Sequence, residues 1–287
     1  MNIKLFFLVL LLLIIILIFN SFLKDNMKSI DNLKEYLDKF YINNKYKFEK
    51  LSNNNNNNMQ SQNVYVVCMP ERKEYIKELF KKMGINYTLL NAIEPKDLSI
   101  NDYVLLSNTF NLFNFVLFKK MSKLPVQMSF IMCFLNAIEN NYENIIIFED
   151  DITLETTIEN VNNHLLEFKN SDFQVFYMGY CSLNCNNINN NTLQSIQSNN
   201  LLIDISNQDI FCAHAIAYKV KYLSNIIAEL FYMNFEFDTM LNTSLKNNNY
   251  KKCISKKILF DQNRSNINSL NENSYNNNVK TKVCNFN

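Results

Sequence analysis

Asn144-Ile145-Ile146-Ile147-Phe148-Glu149-Asp150-Asp151 is an apolar run of strand length that ends in three consecutive carboxylates. Three isoleucines and a phenylalanine without polar alternation predict a strand covered on both faces, as in the central parallel sheet of an α/β domain. Open α/β sheets bind ligands outside the carboxyl ends of their strands, which sets Glu149, Asp150 and Asp151 where a ligand sits. Adjacent carboxylates repel one another unless a positive charge is near. A hard divalent cation such as Mn²⁺ or Mg²⁺ prefers oxygen ligands and commonly bridges one or two carboxylates to substrate phosphates, so the stretch predicts a metal-nucleotide site. The same residues also read as a plain strand end followed by a turn, and the motif alone does not separate the two readings.

Outward from this strand, the pattern alternates. Residues 63–68 read as a buried first strand; Pro70 opens a helix over 71–83 closed by Gly84, and residues 87–92 make a second strand. A helix over 126–140 feeds the acidic strand. A helix over 158–168, a strand over 173–178, a strand-like run over 210–218, a helix over 222–231 and a last strand over 251–260 follow. Strands alternating with helices predict an α/β fold with a mostly parallel central sheet flanked by helices. Residues 98–120 are rich in Phe and Leu without a clean period and read as helical, while 182–200 read as an Asn- and Ser-rich surface loop.

The N-terminal part is of a different kind. Residues 5–19 are all apolar, and with 20–23 they are long enough to cross a hydrocarbon core of roughly 30 Å, so residues 1–23 are expected to form a membrane anchor. Ile30, Leu33, Leu37 and Phe40 fall at helical spacing, which predicts a stalk helix over 27–51. Asn53 to Asn58 form a polar tract that buries nothing. The expected division is therefore anchor 1–23, stalk and linker 24–62, globular domain 63–267 and tail 268–287. Flanking Lys4 against Lys24, Lys28 and Lys34 would by the charge rule leave the C-terminal bulk in the cytosol.

Composition removes several classes. A formal net charge of +1 and 48% hydrophobic residues give a full core and no footprint for nucleic acid. With Gly84 and Gly179 as the only glycines, no glycine-rich phosphate loop or dinucleotide fingerprint can be written, so phosphate must be held by metal or side chains. The 7 cysteines are scattered apart from Cys181-x-x-x-Cys185, which allows a disulfide without forcing one; with 2 histidines a zinc site is disfavoured. Cys68 and Cys133 read as buried small hydrophobes, His214 as a core histidine and His164 as a solvent-facing helix residue.

The order of short motifs resembles the family 25 glycosyltransferases, the group that includes lipooligosaccharide and collagen galactosyltransferases. Val64-Tyr65-Val66-Val67 with Pro70-Glu71-Arg72 looks like that family's opening strand and Pro-Glu-Arg turn, and Asn91-Ala92-Ile93 like the step ending its second strand. Cys133-Phe134-Leu135 is similar to the helix carrying its Gly-Cys-x-Leu-Ser-His motif, and Phe148-Glu149-Asp150-Asp151 to its Leu-Glu-Asp-Asp. Phe176-Tyr177-Met178-Gly179, Ala215-Ile216-Ala217-Tyr218, Phe237-Asp238 and Phe260-Asp261-Gln262 with Ser265 complete the order. Departures are plain: Asn136-Ala137 stand where the family has Ser-His, Met132 replaces its glycine, and Cys68-Met69 replace its usual opening residues.

The resemblance implies a GT-A-like (Rossmann-like) fold and an inverting transfer of a galactose- or glucose-type sugar from a nucleotide-sugar donor, a UDP-sugar by that likeness. The acceptor would be a glycan, lipid-linked or protein-linked hydroxyl. Such a reaction must neutralise a leaving diphosphate and take a proton from the acceptor. Asp151, supported by Asp150, is expected to ligate Mn²⁺ or Mg²⁺, with Glu149, Asp150, Arg72 and Gln262 on the donor. Asp238 and Glu236 are the candidate bases; if residues 234–238 are extended, both carboxylates share one face. The family likeness also favours a single-pass protein with its domain in an ER- or Golgi-type lumen, where sequons at Asn86, Asn190, Asn242 and Asn263 are usable. Two other readings stay open: a degenerate transferase fold kept as a binding module, motivated by the missing Ser-His, and another metal-dependent nucleotide enzyme.

Overall fold

A computed structural model describes residues 48–52, 63–97, 123–183, 200–230 and 236–263. The expected anchor, nearly all of the stalk, the 98–120 stretch, residues 184–199 of the expected loop and the tail lie outside the described residues. Among the described residues no helix is long and apolar enough to cross a membrane.

The strands are β1 (Phe48–Leu51), β2 (Asn63–Cys68), β3 (Tyr87–Asn91), β4 (Asn144–Glu149), β5 (Ile152–Leu154) and β6 (Val175–Gly179). They continue as β7 (Ser182–Leu183), β8 (Leu202–Asp204), β9 (Ile210–Phe211), β10 (Ala215–Lys219), β11 (Lys252–Ser255) and β12 (Phe260–Gln262). The helices are α1 (Lys73–Met83), α2 (Lys123–Glu139), α3 (Ile158–Asn170), α4 (Leu223–Leu230) and α5 (Phe237–Asn247). Eight strands form one sheet in the order β1-β3-β2-β4-β10-β6-β11-β8, and β12-β5 and β7-β9 form two small ribbons.

The fold is mixed α/β. Strands β3, β2 and β4 are parallel neighbours, as are β6 and β11. Between these groups β10 runs antiparallel to both β4 and β6, and β1 and β8 are antiparallel edges. The sheet is therefore less uniformly parallel than the alternation of elements predicts. The 210–218 run is not one strand but breaks at Cys212, φ 71°, between β9 and β10. The 251–260 run likewise splits, β11 joining the large sheet and β12 pairing with β5.

The two sheet faces explain the continuous apolar strands. Tyr65, Val67, Ile145, Ile147, Tyr177 and Tyr218 pack on one side with α2, α4 and α5, while Val64, Val66, Ile146, Phe148, Phe176 and Met178 pack on the other with α1 and α3. Phe148 is fully buried between Phe80 (ring centroids 5.6 Å) and Phe260 (4.8 Å). Burying such a ring contributes about 1.5–3 kcal/mol. Helix α2 is apolar nearly all round because Phe130 to Leu135 are all buried. Helix α1 ends where Gly84 adopts φ 67° and its N–H reaches Lys81 O, a left-handed cap that suits glycine.

Three local expectations are revised. Residues 48–51 are not the end of a stalk helix: β1 supplies backbone partners to the open edge of β3, Phe48 packs on Tyr65 and Glu49 pairs with Lys73. His164 faces inward at 5% exposure, its Nδ1 2.7 Å from Asn160 O, because it shares the buried stripe of α3 with Val161, Leu165 and Phe168. Asn242 is buried on α5, where its amide accepts from Ile210 N–H and donates to Ile210 O.

Candidate active site

Parallel pairing brings the carboxyl ends of β3, β2 and β4 together, with Cys68 opposite Asn91 and Val67 opposite Glu149. The chain leaves β2 through Met69 and a single 3-10 turn, Pro70–Arg72, whose proline fits the fixed φ of a first helical position. That turn leans onto the acidic strand end. Asp150 accepts the Met69 N–H and Arg72 Nη1, each at 2.6 Å. Arg72, expected on the donor, thus places Nη1 on Asp150. Burial raises the Asp150 carboxyl, and the Met69 N–H and the Arg72 guanidinium oppose that shift.

Asp151 is the member of the triplet that keeps one carboxylate oxygen, the buried Oδ1, without a hydrogen-bond partner among the described residues. Burial first, and then the charge of Asp150, push its carboxyl up to about 6, against Arg72, its own backbone and Gln262. Its main chain is pinned, since Asn263 N–H donates to Asp151 O at 2.5 Å. Glu149 shares the face of Ile145 and Ile147, as the period of two requires. Burial raises it well above the ordinary carboxylate range, with Asp151, Asp150 and Asp238 adding to the shift. Gln262, delivered by β12 across from Ile152, donates Nε2 to Glu149 Oε2 at 3.4 Å. Gln262, expected on the donor, lies beside Glu149 at the end of β4.

Residues 236–238 are not extended: α5 begins at Phe237, and Glu236 stands exposed at the preceding position. The two acids consequently part company. Phe237 is buried against Phe130 (4.2 Å between centroids), which anchors the helix start. Asp238 Oδ1 then accepts Thr239 N–H at 2.8 Å and Oδ2 accepts Cys212 N–H at 3.1 Å. Asp238 is among the charges that raise Glu149.

Several site features escaped sequence reasoning. Cys181 is bonded to Cys212, with Cα atoms 5.5 Å apart, and not to Cys185. Spacing could not reveal it, since the partners are 31 residues apart and meet only when β7 pairs with β9. Cys68, Cys133 and Cys253 are free and buried, as their apolar contexts suggest for the first two. Among the described residues, Cys181, Cys212 and His214 bring ligand atoms within 4.8 Å of one another, but the disulfide occupies both sulfurs; the acidic triplet does not converge so closely. His214 Nε2 lies 3.2 Å from Phe260 O and occupies the space a side chain at Gly179 would need. The Tyr177 and Tyr218 hydroxyls are buried with no hydrogen-bond partner among the described residues, and burial raises both phenols. At the Asn136-Ala137 step, Asn136 accepts the Tyr65 hydroxyl at 2.7 Å and Ala137 is fully buried, so these residues serve the sheet–helix interface.

The sequence model of glycosyltransferase family 25 (LPS biosynthesis protein) matches residues 61–213, more than half of the 287-residue chain. The matched stretch includes Arg72, the acidic triplet and both bonded cysteines, and ends before Asp238 and Gln262. No curated protein matches the chain.

Proposed function

Since the chain belongs to glycosyltransferase family 25 and is a glycosyltransferase on that ground, we propose that it moves a galactose- or glucose-type sugar, with inversion, from a UDP-sugar to a hydroxyl of a glycan, lipid-linked or protein-linked acceptor on a GT-A-like domain. The observation that carries the reading is Asp151: a buried, unpartnered carboxylate oxygen beside Glu149 and Gln262 at the end of a central strand. Such an orphan is costly unless a cation meets it. Asp151 fits a Mn²⁺ or Mg²⁺ ligand; Asp150, already held by Arg72 and Met69, braces the turn instead. The ion, when bound, would neutralise the leaving diphosphate. Asp238 takes the acceptor proton, oriented by its two N–H donors. Glu149 and Gln262 contact the donor sugar.

The Cys181–Cys212 disulfide supports an oxidising compartment and so favours the lumenal arrangement, with residues 1–23 as anchor, over the cytosolic one suggested by flanking lysines. Thermal shift with a panel of nucleotide sugars, with and without Mn²⁺, tests the reading. A rise in melting temperature that requires both donor and Mn²⁺ in the parent, and is absent in Asp151→Asn, is the expected result. No metal-dependent response to any donor would instead favour the binding-module reading, to which the structural employment of Asn136 and Ala137 lends its one observation.

A further inference from the structure

We propose that the Cys181–Cys212 disulfide is a positioning element of the active site, so that reduction of this one bond by a small dithiol lowers turnover. The inference rests on the reading of Asp238 as the base. The bridge closes the β7-β9 ribbon, where Cys181 N–H also donates to Phe211 O at 2.9 Å. It fixes Cys212 at φ 71°, a left-handed conformation that a non-glycine residue adopts only when its surroundings enforce it. In that conformation the Cys212 N–H points at Asp238 Oδ2, 3.1 Å away. Two residues on, His214 O accepts Glu149 N–H at 2.9 Å, and the His214 ring contacts Phe260 O beside Gly179. On the other side of the bridge, Cys181 Sγ lies 3.4 Å from Gln262 Oε1, whose amide nitrogen holds Glu149. A bonded sulfur has no hydrogen to donate, so this is packing that limits where the Gln262 amide can turn. One cross-link therefore abuts the groups that hold Asp238, Glu149 and Gln262.

Both bonded cysteines are partly exposed, whereas the free thiols of Cys68, Cys133 and Cys253 are buried. The exchange balances: a thiolate of the dithiol attacks one sulfur, its second thiol closes a ring on the mixed disulfide, and the two electrons and two protons of the dithiol end on Cys181 and Cys212. Freed of the bridge, Cys212 relaxes toward negative φ and its N–H swings off the Asp238 carboxylate. The carboxyl ends of β2, β3 and β4 stay in place, since these strands hold each other.

The full chain is assayed for UDP release from UDP-galactose and from UDP-glucose with Mn²⁺ in its oxidised, dithiothreitol-reduced and reoxidised forms, with thiol titration confirming two new thiols. Reduction should lower kcat by about tenfold or more and raise KM for the donor by a smaller factor, because a misoriented base acts on turnover while the freed Gln262 amide acts on donor binding. Reoxidation should restore kcat. Cys181→Ser/Cys212→Ser should match the reduced parent and ignore dithiothreitol. Amide exchange at Cys212 should accelerate on reduction while amides of β2 and β4 do not change. Unchanged kcat together with unchanged Cys212 exchange after verified reduction would overturn the proposal. An oxidised parent that releases no UDP defeats the functional reading instead, and Cys212 exchange then decides the positioning role by itself.

Discussion

Arg72 Nη1 stands 2.6 Å from Asp150 Oδ1, with the two side chains only 12% and 8% exposed. The pair ties the turn after β2 to the end of β4, and it braces the middle carboxylate of the triplet. Arg72→Ala would leave the Asp150 carboxylate nearly buried with backbone N–H groups, those of Met69 and of Asp150 itself, in place of its counter-charge. Orphaning a buried charge of this kind costs about 3 kcal/mol. Urea unfolding at pH 7 should show that loss. An unchanged midpoint accompanied by weaker donor binding would return Arg72 to the phosphate-binding role.

Asp151→Asn should raise stability in the absence of metal, and only above a certain pH. The Asp151 carboxyl is raised from 3.8 to about 6, so between those values the folded protein keeps a proton that the unfolded chain has released. Stability therefore falls as pH rises through that window and stays lower above it. The asparagine should gain about 1–3 kcal/mol at pH 7 and nothing at pH 3.5, a difference that differential scanning calorimetry resolves. Equal gains at both pH values would show that charge is not the cause.

Gly179→Ala should be severely destabilising. A Cβ there would lie 2.2 Å from His214 Nε2 and 2.5 Å from Phe260 O, and the second is backbone that cannot rotate away. A loss above about 2 kcal/mol in chemical denaturation is expected, with His214→Ala in the same background recovering only part. A near-neutral Gly179→Ala would mean that β6 and β12 separate more easily than their contact suggests.

Truncation should distinguish residue 47 from residue 61 as a start point. A protein beginning at residue 47 keeps β1, with the Phe48–Tyr65 contact and the Glu49–Lys73 pair. One beginning at residue 61 exposes the edge of β3 and should melt several degrees lower, for a loss of about 1–2 kcal/mol. Identical melting curves would show that β1 adds nothing to the fold.

Expression in a glycosylating host should report both topology and burial. If the domain is lumenal, peptide mapping should find glycan at exposed Asn86 and none at Asn242, whose amide is engaged by Ile210 inside the fold. Glycan on Asn242 would contradict its buried place; absence of glycan at Asn86 would favour the cytosolic side.

By itself the sequence determined the parts whose signal is local. Four apolar residues before three acids define β4 and its acidic end, Pro70 and Gly84 bracket the first helix, and the order of short motifs is enough to identify the family. These are legible because hydrophobic runs, fixed φ values and neighbouring charges act over a few residues. The tertiary structure decided what depends on distant partners. Asp150 and Asp151 are adjacent and identical in sequence, yet one is consumed by Arg72 across 78 residues and the other is left with a bare oxygen. Glu236 and Asp238 look equivalent until the start of α5 exposes the first and turns the second onto Cys212. Cys181 finds Cys212 because β7 and β9 pair, and β10 enters the sheet antiparallel to both of its neighbours. A strand's direction, a carboxylate's partner and a cysteine's mate are set by which surfaces the packed core brings together, and no local pattern encodes that.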